Sequence, residues 1–273
     1  MEFEVSLDVG AWDLELAVAE AISVTDRLME ESHYVFTPFG AAHLTVLFLT
    51  IALPFLLALV VRRTKSPFLE RSIAFSISGL LLINYIAYLI VARRFGVTGW
   101  QHALPMQLCD WAMAVIIVAL CSGNRRWLEV AYFWGIGGTL QAIITPNLQF
   151  GFPDPRFISF FVAHSGIIIG IVFLMLTYGF RPRAAGILRT FLWTEVYFIV
   201  AFTVDLLTGI NYGFLLRKPE AFSLLSFLSD WRPLYLLQFH LLAFLFFCAL
   251  YAPFAIVDLL RGKSVAALYE RRS

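Results

Sequence analysis

Long apolar stretches separated by short polar connections dominate the pattern of this chain. A membrane-spanning helix needs roughly 20 mostly apolar residues, and seven stretches meet that requirement. They lie at about 41–61, 72–92, 105–121, 127–145, 158–180, 189–209 and 234–258. No repeat of fixed period and no low-complexity linker divides them, so the pattern predicts a single all-α membrane domain, a bundle of seven transmembrane helices.

Composition supports a membrane protein and excludes several other classes. Of the 273 residues, 60% are hydrophobic and 14% are charged, whereas soluble domains carry about 25% charged residues. A net charge of +1 gives no reason to expect a nucleic-acid partner. Cys109, Cys121 and Cys248 all fall inside apolar runs, so a disulfide framework is not expected.

The distribution of charge predicts how the chain is oriented. With the N-terminus outside, 13 of the 20 lysines and arginines lie in cytoplasmic segments and 7 in outer ones, as the positive-inside rule requires. We therefore expect an acidic extracytoplasmic segment over 1–33, the seven-helix domain over 34–262 and a basic cytoplasmic tail over 263–273. The expected location is the cell inner (plasma) membrane, with several passes.

In this orientation each of the seven helices carries polar residues in the outer half of the bilayer, and the inner halves carry much less, with Glu195 the main exception. Polar groups in hydrocarbon usually face a bundle interior or a wet cavity, so the pattern predicts a polar cavity open to the outer leaflet. Interhelical hydrogen bonds that merely hold the bundle together would give a similar pattern. The candidate substrate-binding residues are His43, Asn84, Gln107, Asp110, Gln141, Thr145, Asp205, Asn211, Tyr212, Lys218, Gln238 and His240.

Cys109 and His164 are the candidate catalytic pair. At 1.5 Å per residue they lie roughly 6 Å and 9 Å inside their helices, depths that are compatible with contact. An imidazole that takes the thiol proton would produce the thiolate needed to attack an acyl carbonyl. Alternatively, Cys109 is a small hydrophobic residue and His164 makes a structural hydrogen bond.

The two acidic residues near the pair allow more than one interpretation. Asp110 projects about 100° away from Cys109 around the helix, so it is expected to orient a histidine or pair with an arginine. Asp205 is expected to hold His240 or His164 in one tautomer. The alternative for both carboxylates is a structural ion pair with a basic residue of the outer connections.

Other features carry weaker expectations. Gly135, Gly137 and Gly138 are expected to permit close helix approach rather than to bind phosphate. The connection 211–232 is either a lid over the cavity or an interfacial anchor. Trp231 is expected to be an anchor, and Lys218 is a candidate phosphate contact. No metal or cofactor is expected, because the histidines show no local ligand spacing and no nucleotide motif is present.

Several motifs of this chain are specific when they are taken together. They are Phe39-Gly40-Ala-Ala-His43-Leu44, Leu104-Pro105-Met106-Gln107-Leu108-Cys109-Asp110, Tyr132-Phe133-Trp134-Gly135 through Gly138-Thr139-Leu140-Gln141-Ala142 to Thr145-Pro146, Phe160-Phe161-Val-Ala-His164, Arg181-Pro182, Asn211-Tyr212 and Lys218-Pro219. With these motifs the chain resembles the bacterial YwaF-type integral membrane proteins, and more remotely the ether-phospholipid acyltransferases of the transmembrane protein 164 type.

The resemblance implies acyl transfer between glycerophospholipids through an acyl-cysteine, with Cys109 as nucleophile and His164 as base. The expected partner is a membrane phospholipid, and hydrolysis is the variant in which water accepts the acyl group. The rival hypothesis is a transporter or binding protein for a small amphipathic solute that uses the same cavity. No inverted repeat supports the rival.

Overall fold

The computed structural model describes residues 34–94, 99–219 and 223–260. Within these ranges the chain is helical, apart from its connections and an isolated bridge between Val35 and Phe150. The predicted segments 1–33 and 263–273 lie outside the described residues. The helices are α1 Ala41–Thr64, α2 Pro67–Arg94, α3 Leu108–Ser122, α4 Arg125–Trp134, α5 Leu140–Ile144, α6 Pro155–Tyr178, α7 Ala184–Thr208 and α8 Arg232–Leu260.

Five of these helices, α1, α2, α6, α7 and α8, are long and apolar enough to cross a membrane. The chain is therefore a multi-pass membrane protein, as predicted. Helix α3 is apolar but has 15 residues, which gives a length of about 22 Å against a hydrocarbon core of about 30 Å. The predicted count of seven spans also requires α3 and the unit formed by α4 and α5 to cross.

Helix α6 lies at the centre of the bundle. In its most apolar window 61% of the residues are buried, compared with 28% or less in the other four long helices. Two glycines allow its neighbours to approach closely. A Cβ on Gly166 would lie 2.7 Å from Leu81 of α2, and one on Gly170 would lie 3.1 Å from Ile116 of α3. These contacts fix α6 against both helices.

A π-helical turn, Gly135–Thr139, joins α4 to α5. The turn packs against α3, α6 and α8. A Cβ on Gly135 would collide with the side chains of Ile167 and Ile171 in α6. The expectation that these glycines permit close helix approach is confirmed at this position. A π-helical turn inside an α-helix is rare and is found frequently at functional sites.

Side chains and glycines terminate several helices. The Asn124 side chain accepts a hydrogen bond from the Arg126 N–H at the start of α4, and Asp154 does the same for Arg156 at the start of α6. Gly209 ends α7 with a φ of 74°, a conformation that costs other residues more than glycine. These contacts determine where each helix ends and where its connecting loop begins.

A buried carboxylate holds the other end of the bundle together. Glu129 of α4 is fully buried and forms ion pairs with Arg183 at 2.7 Å and with Arg189 of α7. Arg181 pairs with Asp258 of α8 at 2.8 Å. These pairs join α4, α7 and α8 at the end opposite to the candidate residues. They therefore hold in place the helices that carry those residues.

Candidate functional site

The candidate residues gather at one end of the bundle, which we call the site end. Helices α1, α3, α6 and α8 begin there, and α2, α5 and α7 end there. The loops are tied across it: the Tyr212 hydroxyl donates to the Gln101 carbonyl, and the Tyr235 hydroxyl donates to the Phe214 carbonyl at 2.7 Å. The common level predicted for the polar residues is therefore present.

Cys109 lies in the first turn of α3, beside the π-helical turn. Its thiol is close to the Thr139 hydroxyl and to the Tyr197 side chain of α7. The Tyr197 hydroxyl donates to the Met106 carbonyl at 3.1 Å. The Thr139 hydroxyl is buried and makes no hydrogen bond within the described part of the chain. A buried donor without an acceptor is costly, so this hydroxyl is available to an oxygen or sulfur atom placed beside Cys109.

Gln107 and Asp110 cap α3. The Asp110 carboxylate accepts the Gln107 backbone N–H at 3.0 Å, and the Gln107 side-chain carbonyl accepts the Gly213 N–H at 3.1 Å. Asp110 therefore has a local capping role in place of the predicted histidine or arginine partner. Gln107 connects the start of α3 to the loop that follows α7.

Asp205 organises that same loop. One of its oxygens accepts the Tyr212 backbone N–H at 2.8 Å, and the other is buried without a partner among the described residues. Burial raises the pKa of the Tyr212 phenol, and the nearby Asp110 and Asp205 carboxylates raise it further. Tyr212 therefore remains a protonated donor. Among the described residues Asp205 pairs with the Tyr212 amide and not, as predicted from the sequence, with His240 or His164.

The three histidines of the bundle have different hydrogen bonds. His43 is fully buried: its Nδ1 accepts the Phe39 N–H at 2.9 Å and its Nε2 donates to the Ile143 carbonyl at 2.8 Å. In His240, Nδ1 donates to the Leu236 carbonyl at 2.6 Å and Nε2 lies 3.2 Å from Glu195. Both nitrogens of these two rings are occupied.

His164 differs from the other two. Its Nδ1 donates to the Phe160 carbonyl at 2.7 Å, and its ring stacks on Phe160 with centroids 4.1 Å apart. Because a carbonyl can only accept, Nδ1 carries the proton of the neutral ring and Nε2 carries the lone pair. No hydrogen bond to this Nε2 is found among the described residues. His164 is therefore the histidine whose basic nitrogen is open.

Helix packing places Cys109 and His164 at the same level. Helices α3 and α6 both begin at the site end, and Gly170 packs against Ile116. Cys109 precedes Ile116 by about 10 Å along its axis, and His164 precedes Gly170 by about 9 Å. No hydrogen bond of the described residues joins the two side chains directly, so their catalytic pairing stays a prediction.

Three predicted binding residues hold the loop between α7 and α8. The Asn211 side chain accepts the N–H groups of Leu216 and Arg217 at 2.9 and 3.2 Å. Lys218 contacts the Leu228 carbonyl at 2.5 Å, and Gln238 accepts the Ser229 N–H at 2.7 Å. These contacts give the loop a defined shape, and they also give each of the three residues a structural role.

The remaining predicted residues lie on α2 and α5. Asn84 donates to the Ser159 carbonyl of α6 at 3.0 Å. The Thr145 hydroxyl donates to the Gln141 backbone carbonyl at 3.2 Å, and both of these side chains are exposed. Asn84 thus joins two helices, as the structural interpretation of the polar residues predicts.

Two cavities open near the site end. One, of about 330 Å³, lies between the start of α1 and the loop before α6 and is lined by Phe36, His43 and Phe157 among others. The other, of about 230 Å³, lies between the loop after α7 and the start of α8. Neither is lined by Cys109 or His164, so the predicted polar cavity around this pair is not one of the two. Within the described ranges no cluster of three metal-ligating side chains occurs.

The sequence analysis did not include Thr139, Tyr197 and Tyr85 among the site residues. Tyr197 precedes Asp205 by eight residues, two helical turns, so helical periodicity could have placed both on one face. Tyr85 and Tyr88 lie near Asp110, and their spacing of three residues is the corresponding signal on α2. Thr139 gave no signal, because its position depends on the π-helical turn.

Comparison with known proteins gives a single family. The model of the TMEM164 family matches residues 38–251, more than half of the chain. No curated protein and no solved structure matches the chain. The matched range contains α1 to α7, most of α8 and every candidate residue of the site end.

Proposed function

Because the chain belongs to the TMEM164 family, we propose that it is a membrane-embedded acyltransferase or hydrolase of glycerophospholipids. Cys109 is the nucleophile in this proposal, and His164 is the base. The lipid is reached at the site end, which faces outward from the plasma membrane in a chain with seven spans and the N-terminus outside. The site therefore draws its substrate from the outer leaflet.

The observation that carries the proposal is the open Nε2 of His164. Of the three histidines carried by the long helices, His164 alone has its proton fixed on Nδ1 and its lone pair without a partner in the described part of the chain. The Phe160 carbonyl fixes this tautomer in the way that an acceptor orients the base of a catalytic triad. His164 lies at the level of Cys109 along the bundle, as the proposal requires.

The reaction follows from these groups. His164 Nε2 takes the thiol proton, and the Cys109 sulfur attacks the ester carbonyl carbon of the lipid. The carbon–oxygen ester bond breaks, the leaving oxygen takes the proton from His164, and a lysophospholipid departs. The acyl-cysteine then reacts with the hydroxyl of a second lysophospholipid or of water, which restores the thiol.

Thr139 supports the same step. Its buried hydroxyl lies beside the thiol and lacks a partner within the described ranges, so it can donate to the oxyanion that forms when sulfur attacks. Donors already aimed at a developing charge are usually among the largest contributions to catalysis. Gln107 and Asn211, two of the candidate substrate-binding residues, are engaged in the loop after α7.

Intact-protein mass spectrometry tests the proposal. The purified protein is incubated with a defined phosphatidylcholine, beside Cys109→Ser and the matched control Cys121→Ser, whose thiol lies at the opposite end of α3. We expect an adduct of fatty-acyl mass, released by hydroxylamine, in the wild type and in Cys121→Ser and absent from Cys109→Ser. Bound intact lipid without any acyl adduct would support the carrier hypothesis instead.

A further inference from the structure

The cavity between the loop after α7 and the start of α8 has the charge of an anion site. Its volume is about 230 Å³, several times the ~30 Å³ that a water molecule occupies in the liquid. It is lined by Leu216, Arg217, Lys218, Ser229, Asp230, Arg232 and Tyr235. Three of these seven residues are cationic and one is anionic, which gives the lining a formal charge of +2.

The anionic residue offsets only part of this positive charge. Lys218 pairs with Asp230 at 2.7 Å, but the Asp230 side chain is 98% exposed, and ion pairs in water are strongly screened. Lys218 is 22% exposed and is also held by the Leu228 carbonyl. The ammonium group is therefore fixed at the wall of the cavity, while its partner carboxylate lies in solvent.

The two arginines keep their guanidinium donors available. Among the described residues, no hydrogen bond or ion pair uses the guanidinium group of Arg217 or Arg232. The Arg232 guanidinium lies 5.3 Å from the centre of the Phe202 ring. The Arg217 backbone is held by Asn211 through its N–H and its carbonyl. Both arginines are thus positioned by contacts that leave their N–H groups for a ligand.

The surroundings of the cavity indicate a lipid headgroup rather than a free ion. Trp231 and Phe227, in the same loop, are 67% and 74% exposed, and aromatic residues of this kind favour the membrane interface. The loop is joined to the start of α3 by the bond from Gly213 to Gln107. A phosphate in the cavity would therefore lie at headgroup level, on the same end as Cys109.

We propose that Arg217, Lys218 and Arg232 form a binding site for the phosphate of a glycerophospholipid. Arginine guanidinium groups bind phosphate oxygens through paired N–H donors, and a lysine adds a point charge. The inference rests on the proposed function for its ligand class, and it assigns the headgroup to one particular cavity.

Native mass spectrometry of the detergent-purified protein tests this site. The probes are dihexanoyl phosphatidylcholine, dihexanoylglycerol, which lacks the phosphate, and inorganic phosphate. The measurements use a Cys109→Ser background, so that binding is scored without any covalent step. The variant is Arg217→Gln with Arg232→Gln, which leaves the contacts of Lys218 in place, and the matched control is Arg94→Gln, at the site end but outside the cavity.

We expect the double variant to weaken phosphatidylcholine binding by about 10-fold or more, because each charge-assisted hydrogen bond contributes at least about that factor. Arg94→Gln should bind like the background, and dihexanoylglycerol should bind equally weakly to all three. If the double variant and Arg94→Gln bind phosphatidylcholine equally well, the proposed phosphate site is wrong. Inorganic phosphate that binds as tightly as the lipid overturns the lipid assignment.

This test separates the two proposals. Loss of lipid binding in the double variant, together with no acyl adduct on Cys109 in the wild type, would support the headgroup site and overturn the acyl-transfer proposal. An acyl adduct on Cys109, together with unchanged lipid binding in the double variant, would support the acyl-transfer proposal and overturn the headgroup site.

Discussion

At the scale of single residues, backbone partners give histidines of the same helix bundle different chemistry. His164 and His240 both donate from Nδ1 to the carbonyl four residues earlier. Their difference lies at Nε2, which faces Glu195 in His240 and is open in His164 among the described contacts. In His43, Nδ1 accepts the N–H of Phe39 just before α1, and Nε2 joins α1 to the Ile143 carbonyl of α5. Residue type alone does not distinguish a base from a structural residue here.

Thr139 provides a sharp test at this scale. In Thr139→Val the side chain keeps its shape and loses a buried hydroxyl that has no partner among the described residues. We expect the acylation rate of Cys109 to fall about 10²-fold, as for other oxyanion donors, without a loss of thermal stability. Single-turnover mass spectrometry measures the rate.

Thr190→Val is the control for this change. The Thr190 hydroxyl of α7 is also buried and unpaired within the described ranges, but it follows Arg189 near the other end of the bundle. Its removal should leave the acylation rate unchanged. An equal fall in both variants would show that the effect of Thr139→Val is general and unrelated to the thiol.

The sequence predicted the depth of the polar residues better than their partners. Helical rise and the span boundaries are local, so Gln107, Asp110, Asp205 and Asn211 could be placed at a common level. Their hydrogen bonds depend on how the loop after α7 folds back onto α3. That path is set by tertiary contacts, so the partners proposed for the two carboxylates were wrong.

At the scale of elements, the π-helical turn determines where Thr139 lies. A glycine run was visible in the sequence, but the extra residue in the turn follows from packing against α3, α6 and α8. Local propensity does not specify such a turn. The long apolar helices, by contrast, were predictable from their hydrophobic stretches.

Gly135→Ala tests the packing of this turn. Its Cβ would collide with Ile167 and Ile171 of α6, and overpacking of a core costs about 1–3 kcal/mol. We expect a lower melting temperature in detergent, measured by intrinsic fluorescence. Gly137→Ala is the matched control, because a Cβ there would lie 3.5 Å from Leu250 at ordinary contact distance. Equal melting temperatures for the two variants would contradict this packing.

Asp154 tests the start of α6. Its carboxylate accepts the Arg156 N–H and pairs with the Arg156 guanidinium at 2.7 Å, and this hydrogen-bonded arginine lowers the pKa of Asp154 from its usual 3.8. Asp154→Ala should cost about 1–2 kcal/mol at pH 7 through the lost cap. Asp154→Asn keeps the acceptor oxygen for the backbone and loses the charge.

The pH dependence follows from the direction of this shift. Because the pKa of Asp154 is lowered on folding, the charge contribution is fully present above pH 3.8 and is lost as the pH falls toward the lowered value. The free energy of unfolding is measured at pH 7 and in acid below the lowered pKa of Asp154. It should differ between wild type and Asp154→Asn at pH 7, and this difference should disappear in acid. A difference that persists in acid would exclude the ion pair as its source.

At the scale of the whole molecule, the two ends of the bundle are built differently. The end opposite to the site is held by the buried pairs of Glu129 with Arg183 and Arg189. At the site end, Thr139 and Asp205 carry buried polar atoms that have no partner within the described part of the chain. Composition and periodicity predicted the membrane bundle and the level of the site. The contacts across several helices could not be obtained from a single sequence, because they depend on rotation of each helix about its axis.

The central claim of the proposal is that His164 of α6 acts as the base for the Cys109 thiol of α3. It is tested most directly by the iodoacetamide alkylation rate of Cys109 in reconstituted protein whose other thiols are removed by Cys121→Ser and Cys248→Ser. His164→Asn keeps a donor toward the Phe160 carbonyl and removes the basic nitrogen. If His164 takes the thiol proton, this substitution should slow alkylation by about 10²-fold, in the range of general-base effects. Equal rates with histidine and asparagine at position 164 would contradict the claim.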